Sequence, residues 1–420
     1  MKYEYFPRIF DDVLDFSLKS KGGVLVVGPK WCGKTTTCER HAKSVIRLLP
    51  LETRQQYVNF AKANPERFLN HGDKPLLIDE WQIISFIWNS LKEVIDKNHE
   101  FGQFILTGSV TDKNSYEELG SEIHTANGRI VKKIMRTMSL YESKDSIGTV
   151  SLMDLQKGIF NPSISEKSID DYAYFICRGG WPLSLNKDKK IALSQAKDYY
   201  QTLYQDDIFS LSDIQIRKNI VTSEKFFRSY ARNIGTQCGD NIIIEDVGFD
   251  KKTFDKYFVG AQRLFVLDET MAWNPNLRSK STIRTKNTRY FVDPSIAVAA
   301  LGLNPESLYK DMKYFGFLFE SLVIRDLKIY ADAINAKIYH FRDSLDREAD
   351  AVIVYENGDF GLIEIKLGDD EDINEASLNL KKIEKDLVNK PNFIMVITKT
   401  PFAYQRDDKV YVVPLATLRP

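Results

Sequence analysis

The chain has 420 residues, and its 58 lysines and arginines are balanced by 58 aspartates and glutamates. That balance excludes a generally basic nucleic-acid coat but allows a local basic patch. With 43% hydrophobic and 28% charged residues, it reads as a soluble globular chain long enough for two or three domains. Cys32, Cys38, Cys177 and Cys238 form no CxxC pair and the five histidines are scattered, so neither a disulfide framework nor a zinc site is expected, and the expected setting is cytoplasmic. The opening MKYEYFPRIFDD lacks the apolar core of a signal peptide, and no apolar run is long enough for a bilayer, so no membrane partner is expected.

The first module opens on VLVV (24–27), a β-branched run typical of a buried parallel strand. It leads into GPKWCGKTTT, which fits G-x-x-x-x-G-K-[ST]. Gly28, Pro29, Lys30, Trp31, Cys32, Gly33, Lys34, Thr35 and Thr36 form the expected nucleotide-binding loop. Gly28 permits the sharp exit from the strand, and Gly33 lets the backbone approach phosphate. Lys34 is placed to reach the β- and γ-phosphates of ATP, and Thr35 to hold Mg²⁺. Trp31 is a bulky residue for such a loop; packing against a neighbouring helix is the expectation. The stretch TTTCERHAKSVIRLL reads as the following helix. PLLIDEW (75–81) reads as a second buried strand with Asp79 and Glu80 at its C-terminal end, where ligands of open α/β sheets bind. Asp79 is assigned to the magnesium shell and Glu80 to the attacking water. QFILTGS (103–109) reads as a third strand ending in Thr107 and Ser109, which either sense the γ-phosphate or cap a helix. Arg129 in NGRI is a candidate to reach a neighbouring subunit's nucleotide in a homo-oligomer, with Arg136 as a competitor.

GPKWCGKTT, LLIDEWQ, the helical stretch WNSLKEVIDKNHEFG and FILTGS together resemble the bacterial and archaeal AAA-like ATPases that carry a C-terminal domain of unknown function, the AAA plus DUF4143 type. The resemblance covers nearly the whole chain. It implies an AAA-like P-loop domain over 1–145 and a winged-helix-like unit in a middle domain over 146–305, with a last domain over 306–420.

In the middle, residues 150–220 read as mostly helical, with a break at Gly179-Gly180 and Pro182. IIIEDVGFDKKTFDKYFVGAQRLFVL then shows a short helix, a glycine turn and a second helix with Phe254, Tyr257, Phe258, Ala261 and Leu264 at helical spacing, a helix-turn-helix layout. The following WNPNLRSKSTIRTKNTRYF carries Arg278, Lys280, Arg284, Lys286 and Arg289 and no acid, so it is the candidate DNA contact; a solvated hairpin is the alternative.

In the last module, YKDMKYFGFLFESLVIRDLKIYADA reads as a long helix with Glu320 in an apolar stretch, costly to bury unless paired or metal-bound. KIYHFR (337–342) reads as a strand, and 349–355 and 360–367 as a hairpin around Asn357-Gly358. Asp350 lies on its first strand, and Glu364 and Lys366 share one face of its second. A helix (SLNLKKIEKDLV) and a strand (NFIMVITK) follow. The order resembles the PD-(D/E)XK nuclease fold. The resemblance implies that Asp350 and Glu364 share a Mg²⁺ or Mn²⁺ ion with the Ile365 carbonyl, that Lys366 positions or helps deprotonate the attacking water, and that Glu320 completes the cluster through a water. Arg347 and Glu348 lie just upstream. Two functions compete: an ATP-driven enzyme that cuts DNA, and an ATP-dependent switch or scaffold that grips nucleic acid or protein without cutting.

Overall fold

The computed structural model of the chain describes residues 5–108, 128–211, 214, 216–275, 285–343, 345 and 347–420. Helix α1 (Ile9–Ser20) precedes β1 (Gly23–Val27), whose five residues are all buried. Helix α2 (Lys34–His41) follows. The expected helix does not continue through SVIR: the chain leaves α2 at His41, and β2 (Ser44–Arg47) pairs in parallel with β3 (Leu76–Asp79). Val45 and Ile46 favour that extended, half-buried site over a helix surface. Helices α3 (Leu51–Ala63) and α4 (Pro65–Leu69) make the crossover between these strands. A 3-10 turn (Trp81–Ile87) and α5 (Trp88–Asn98) lead to β4 (Phe104–Thr107), and β5 (Ile130–Ile134) closes a five-stranded parallel sheet in the order β2-β3-β4-β1-β5. The phosphate-loop strand is thus flanked on both sides, and apolar layers cover both faces of the sheet.

The next segment is mostly helical but begins inside a different sheet. Strand β6 (Val150–Ser151) pairs with β14 (Leu418–Arg419) at the far end of the chain, and β7 (Ser163–Ile164) pairs with β12 (Phe402–Gln405). Between β6 and β7 lies α6 (Leu152–Gln156). Helices α7 (Ile169–Arg178), α8 (Lys189–Gln205) and α9 (Ile220–Arg232) pack around an aromatic core that includes Tyr172, Trp181, Phe226 and Tyr230. Helix α10 (Asp240–Val247) ends at Gly248 (φ +78°), and α11 (Lys251–Arg263) starts with Asp250 accepting from the Thr253 N–H. An antiparallel ribbon follows, tied by bridges Leu267–Phe291 and Thr270–Thr288, and a parallel bridge joins Ala272 to His340 on β8.

After α12 (Pro294–Ala300) and α13 (Pro305–Leu308), the 22-residue helix α14 (Met312–Ala333) runs through the interior. Strands β8 (Lys337–Arg342), β9 (Glu348–Val354) and β10 (Phe360–Lys366) form an antiparallel meander. Helix α15 (Asp370–Asp386) crosses to β11 (Phe393–Thr398), parallel to β10. With β13 (Tyr411–Pro414), the seven-stranded mixed sheet runs β7-β12-β13-β11-β10-β9-β8. One face packs on the core that contains α14, and the other packs Leu362, Val352 and Val396 under α15. Among the described residues, no helix is long and apolar enough to cross a membrane.

Candidate functional site

The phosphate loop begins where β1 stops. Gly28 stands at φ +152°, and a Cβ there would lie 2.1 Å from the Met135 carbonyl oxygen, so only glycine lets the chain turn beneath the exit of β5. Gly33 (φ +100°) caps α2. Lys34 is buried, and its Nζ donates to the Gly28 and Pro29 carbonyls at 3.0 and 2.8 Å. The Thr35 hydroxyl donates to Asp79 Oδ1 at 3.0 Å, joining the loop to the end of β3. Burial pushes the Asp79 carboxyl up; the Thr35 hydrogen bond opposes this, and the Glu80 charge adds to it. Glu80 holds a left-handed backbone (φ +60°, ψ 42°), a cost that persists where the surrounding fold enforces it. Thr107 is buried at the end of β4, and among the described residues its hydroxyl has no hydrogen-bond partner. Ser109 lies outside the described residues.

The rest of the loop faces the helical segment. Lys30 Nζ lies 2.7 Å from Asp207, and the Trp31 ring meets Tyr199 edge-on at 5.7 Å, with Tyr199 in turn tilted against Trp181 at 4.2 Å. This accounts for Trp31, which remains 42% exposed. Cys32 is buried, its Sγ reaching the Met135 carbonyl, and Thr36 is exposed on the first turn of α2.

Arg8 belongs to this site and was not singled out from sequence. It donates to the Cys32 carbonyl at 2.7 Å and to the Arg136 and Thr137 carbonyls, and pairs with Glu142 at 2.9 Å, fully buried. A lone arginine outside any motif carries no signal until the fold brings the loop to it.

The two arginine candidates separate. Arg129 immediately precedes β5, and its carbonyl accepts from the Gly23 N–H at the start of β1, the edge of the sheet opposite the loop. Five residues of strand, about 17 Å, separate it from its own phosphate loop. It pairs there with Asp96 at 2.6 Å, so it has no reach to the nucleotide of its own subunit. Arg136 lies near the loop but is buried between Asp268 and Asp332, where it joins sheet, ribbon and α14.

Toward the C-terminal end of the chain, the β9–β10 ladder stops at Ile363–Ala351. The next pair would be Glu364 and Asp350. Asp350 Oδ2 instead takes the Ile365 N–H at 2.7 Å. A strand residue turns its N–H and C=O to the same neighbour, so the Ile365 carbonyl faces this gap as well. Lys366 Nζ lies 3.0 Å from Glu364 Oε1. Glu364 Oε2 is buried and, among the described residues, has no partner. Glu320 reaches the cluster from α14 and accepts a short hydrogen bond from the buried Tyr290 hydroxyl on the ribbon.

Burial first, and then the Asp350 charge, push Glu364 up to about 8, and the same two causes raise Glu320 strongly. Asp350 is raised by burial against the pull of Lys366. Burial works against the Lys366 charge, but Glu364 and Asp350 outweigh it and hold the amine above its ordinary range. Arg347 is engaged elsewhere, with Asp343 and Asp386, and Glu348 pairs with Arg342 at 2.9 Å. Among the described residues, no group of three or more acids, histidines or cysteines is gathered closely enough to hold a metal ion. The donors that do converge are two carboxylates and a carbonyl, a set that fits Mg²⁺, which keeps most of its waters.

In the basic strip, Arg278, Lys280 and Arg284 lie outside the described residues, and Lys286 is exposed. Arg289 leaves the strip as a phosphate contact. It is buried, pairs with Asp240 at 2.6 Å and Glu269 at 3.3 Å, and donates to the Cys238 carbonyl. It lines a cavity of about 670 Å³ between α10, α11 and the ribbon.

A strand–loop–helix cradle at the C-terminal edge of a parallel sheet, tied to a strand-end aspartate, is the arrangement of P-loop ATPase-like proteins. A family model described as an AAA domain matches residues 20–144, and models described as domains of unknown function match residues 169–307 (DUF8612) and 315–418 (DUF4143). Residues 20–144 are thus an AAA-type P-loop domain and residues 315–418 a DUF4143 domain. Among solved structures it is similar to the Walker-type ATPase PABY2304 of Pyrococcus abyssi, at 13% identity over 71% of this chain and 96% of that one, with a TM-score of 0.41. No curated protein matches it.

Proposed function

We propose that this protein is a Mg²⁺-dependent ATPase coupled to a nuclease-like C-terminal site that acts on DNA. The observation that carries the ATPase part is the Thr35–Asp79 hydrogen bond, which brings a phosphate-loop hydroxyl and a strand-end carboxylate to one point beside Lys34. The backbone N–H groups of residues 28–36 other than Pro29, with Lys34, would hold the phosphates, and Thr35 and Asp79 the Mg²⁺ with its waters. Glu80 would take a proton from the attacking water. Arg129 would act only on a neighbouring copy's nucleotide, in a homo-oligomer.

The nuclease-like reading of about 306–420 is supported by the divergence of β9 and β10 at Asp350 and Glu364, with Lys366 and Glu320 beside them. Asp350, Glu364 and the Ile365 carbonyl would hold Mg²⁺ or Mn²⁺, which supplies charge neutralisation at a phosphodiester when bound. Lys366 would position or help deprotonate the attacking water, and Glu320 would complete the acidic cluster through a further water. The winged-helix-like reading of the middle region is supported by three helices followed by a ribbon, with Lys286 and, from the sequence alone, Arg278, Lys280 and Arg284 as the candidates for DNA phosphates. The 145/146 boundary is a boundary of function more than of sheet, since β7 joins the seven-stranded C-terminal sheet and β6 pairs with the terminal β14 in a separate two-stranded sheet.

A second reading is the ATP-dependent switch that binds without cutting. It is favoured by the Lys366–Glu364 and Asp350–Ile365 pairings, which occupy oxygens that a metal would need. Supercoiled plasmid and branched DNA incubated with Mg²⁺ or Mn²⁺, with and without ATP, decide between them. Cleavage that disappears in Asp350→Ala supports the nuclease. Intact ATP turnover, lost in Lys34→Ala, with no cleavage under any condition supports the switch.

A further inference from the structure

Beyond Glu80 the chain turns at once into the 3-10 segment Trp81–Ile87. That turn folds Gln82 back so that its Nε2 donates to Glu80 Oε2. The carboxamide lies flat against the end of β4: a Cβ built on Gly108 would fall 2.0 Å from Gln82 Oε1 and 3.2 Å from Glu80 Cα. A glycine at 108 is therefore the condition for Gln82 to occupy this place. Pairing of β4 with its two neighbours sets Thr107 opposite both Asp79 and Val26, so Gly108 stands one residue beyond the magnesium-side aspartate, beside the start of the phosphate loop. Gln82 Oε1 is buried there and, among the described residues, accepts no hydrogen bond. A buried amide carbonyl without a donor is costly, and its presence at the ligand-binding edge points to a donor that arrives with substrate.

We infer that Gln82 is a positioning residue for ATP hydrolysis: its N–H fixes the Glu80 carboxylate, and its carbonyl accepts one hydrogen of the attacking water. The inference rests on the ATPase reading above. In the step itself, the water oxygen bonds to the γ-phosphorus as the bond from that phosphorus to the β–γ bridging oxygen breaks. One water proton passes to Glu80, and ADP leaves with the electron pair of the broken bond. Gln82 gains and loses nothing; it aims the water's lone pair along the line of attack. A carboxamide suits the task because it carries a donor and an acceptor in one rigid plane. Leucine at 82 offers neither, and glutamate would face Glu80 with a second acceptor.

The test uses the full chain with ATP and Mg²⁺, measuring steady-state turnover and, separately, ATP binding by calorimetry. Gln82→Leu and Gly108→Ala are each expected to lower kcat about 10- to 100-fold while ATP affinity stays within about twofold. Gly108→Ala displaces the same carboxamide without altering Gln82, so it serves if Gln82→Leu fails to fold. Because Gln82 acts through Glu80 and its water, the double variant Glu80→Gln/Gln82→Leu should be no slower than Glu80→Gln alone. Turnover within about twofold of wild type in both single variants overturns the inference, as does a rate loss matched by an equal loss of ATP affinity or fully multiplicative effects in the double variant. A wild-type protein that binds ATP but never hydrolyses it removes the ATPase reading itself, a different result from active wild type with indifferent Gln82 variants.

Discussion

At the phosphate loop, the groups that would meet an anion come from nine consecutive residues, and most of them are backbone N–H groups. At the C-terminal gap, Glu320, Asp350 and Glu364 come from a helix and two strands, and Tyr290 is brought in by the ribbon. The charges follow the same division. Lys34, Thr35 and Lys30 each have a partner within 3.0 Å. The acid cluster sets three carboxyls against Lys366 and, among the described residues, leaves Glu364 Oε2 without a partner. A cradle built from backbone keeps its shape whatever the pH, whereas burying several acids together favours their protonated forms.

The largest expected effect tests whether the two sites are separate. Lys34→Ala should lower ATP turnover by about a hundredfold or more, and leave the response of the C-terminal cluster to Mn²⁺ intact. Loss of both in that variant would mean that the contrast between two independent sites is wrong.

The next effect is a pH dependence with a definite sign. Glu364 is raised from its ordinary 4.5 to about 8, so the folded chain keeps a proton that the unfolded chain gives up. In EDTA, stability should therefore fall as pH rises from 4.5 to about 8 and level off above. Thermal melts across this window should show the fall, Glu364→Gln should flatten it by up to a few kcal/mol, and Mg²⁺ or Mn²⁺ should restore stability at pH 8. A wild-type melting temperature that climbs over the same window would count against a buried, protonated cluster.

Tyr290→Phe sharpens the comparison from the side of the ribbon. It removes the O–H that supports charge on Glu320, and Mn²⁺ affinity measured by calorimetry should drop several-fold, about 1 kcal/mol. Lys30→Ala does the same at the phosphate loop. The Lys30–Asp207 pair is partly exposed, so ATP affinity should change by no more than about fivefold. The smallest effect is at His41, held between Asp11 and Asp15 at 2.9 and 2.7 Å. The Asp11 hydrogen bond is the largest cause that raises it. This contribution is complete below the ordinary value of 6.5 and is lost as pH rises through the raised one, and screening keeps it under about 1 kcal/mol. The difference in melting temperature between wild type and His41→Asn should shrink toward alkaline pH.

The two sites are also joined through the interior. Arg325 on α14 pairs with Asp293 and Asp326; Asp326 accepts the Leu140 N–H, and Asp293 the Thr137 hydroxyl. Arg8, which holds the phosphate loop, pairs with Glu142 in the same segment. The helix that delivers Glu320 is thus tied by buried ion pairs to the segment that supports the phosphate loop.

The phosphate loop was legible because its chemistry is local: strand, glycines, lysine and hydroxyl must follow one another for backbone N–H groups to converge, so spacing alone reveals them. Asp79 and Glu80 were legible for the same reason, since the end of a β-branched run marks the edge of a sheet. Glu320, Asp350, Glu364 and Lys366 could be named from their order along the chain, but only the structure set Tyr290 against Glu320. Arg289 illustrates the converse. In sequence it is one more basic residue in an acid-free strip, and only the approach of Asp240 and Glu269 from elsewhere removes it from the surface. Strands β12, β13 and β14 and the strand pairing of 150–164 were not foreseen, because two-to-four-residue strands have too little pattern to read and exist only through their partners. What the chain determines by itself is what neighbouring residues can do to one another: the loop, the helix periods and the alternating strand faces. What tertiary structure alone decides is the company that charged side chains keep, because burial and distant partners, rather than the residue type, determine whether a charge is solvated, paired or protonated.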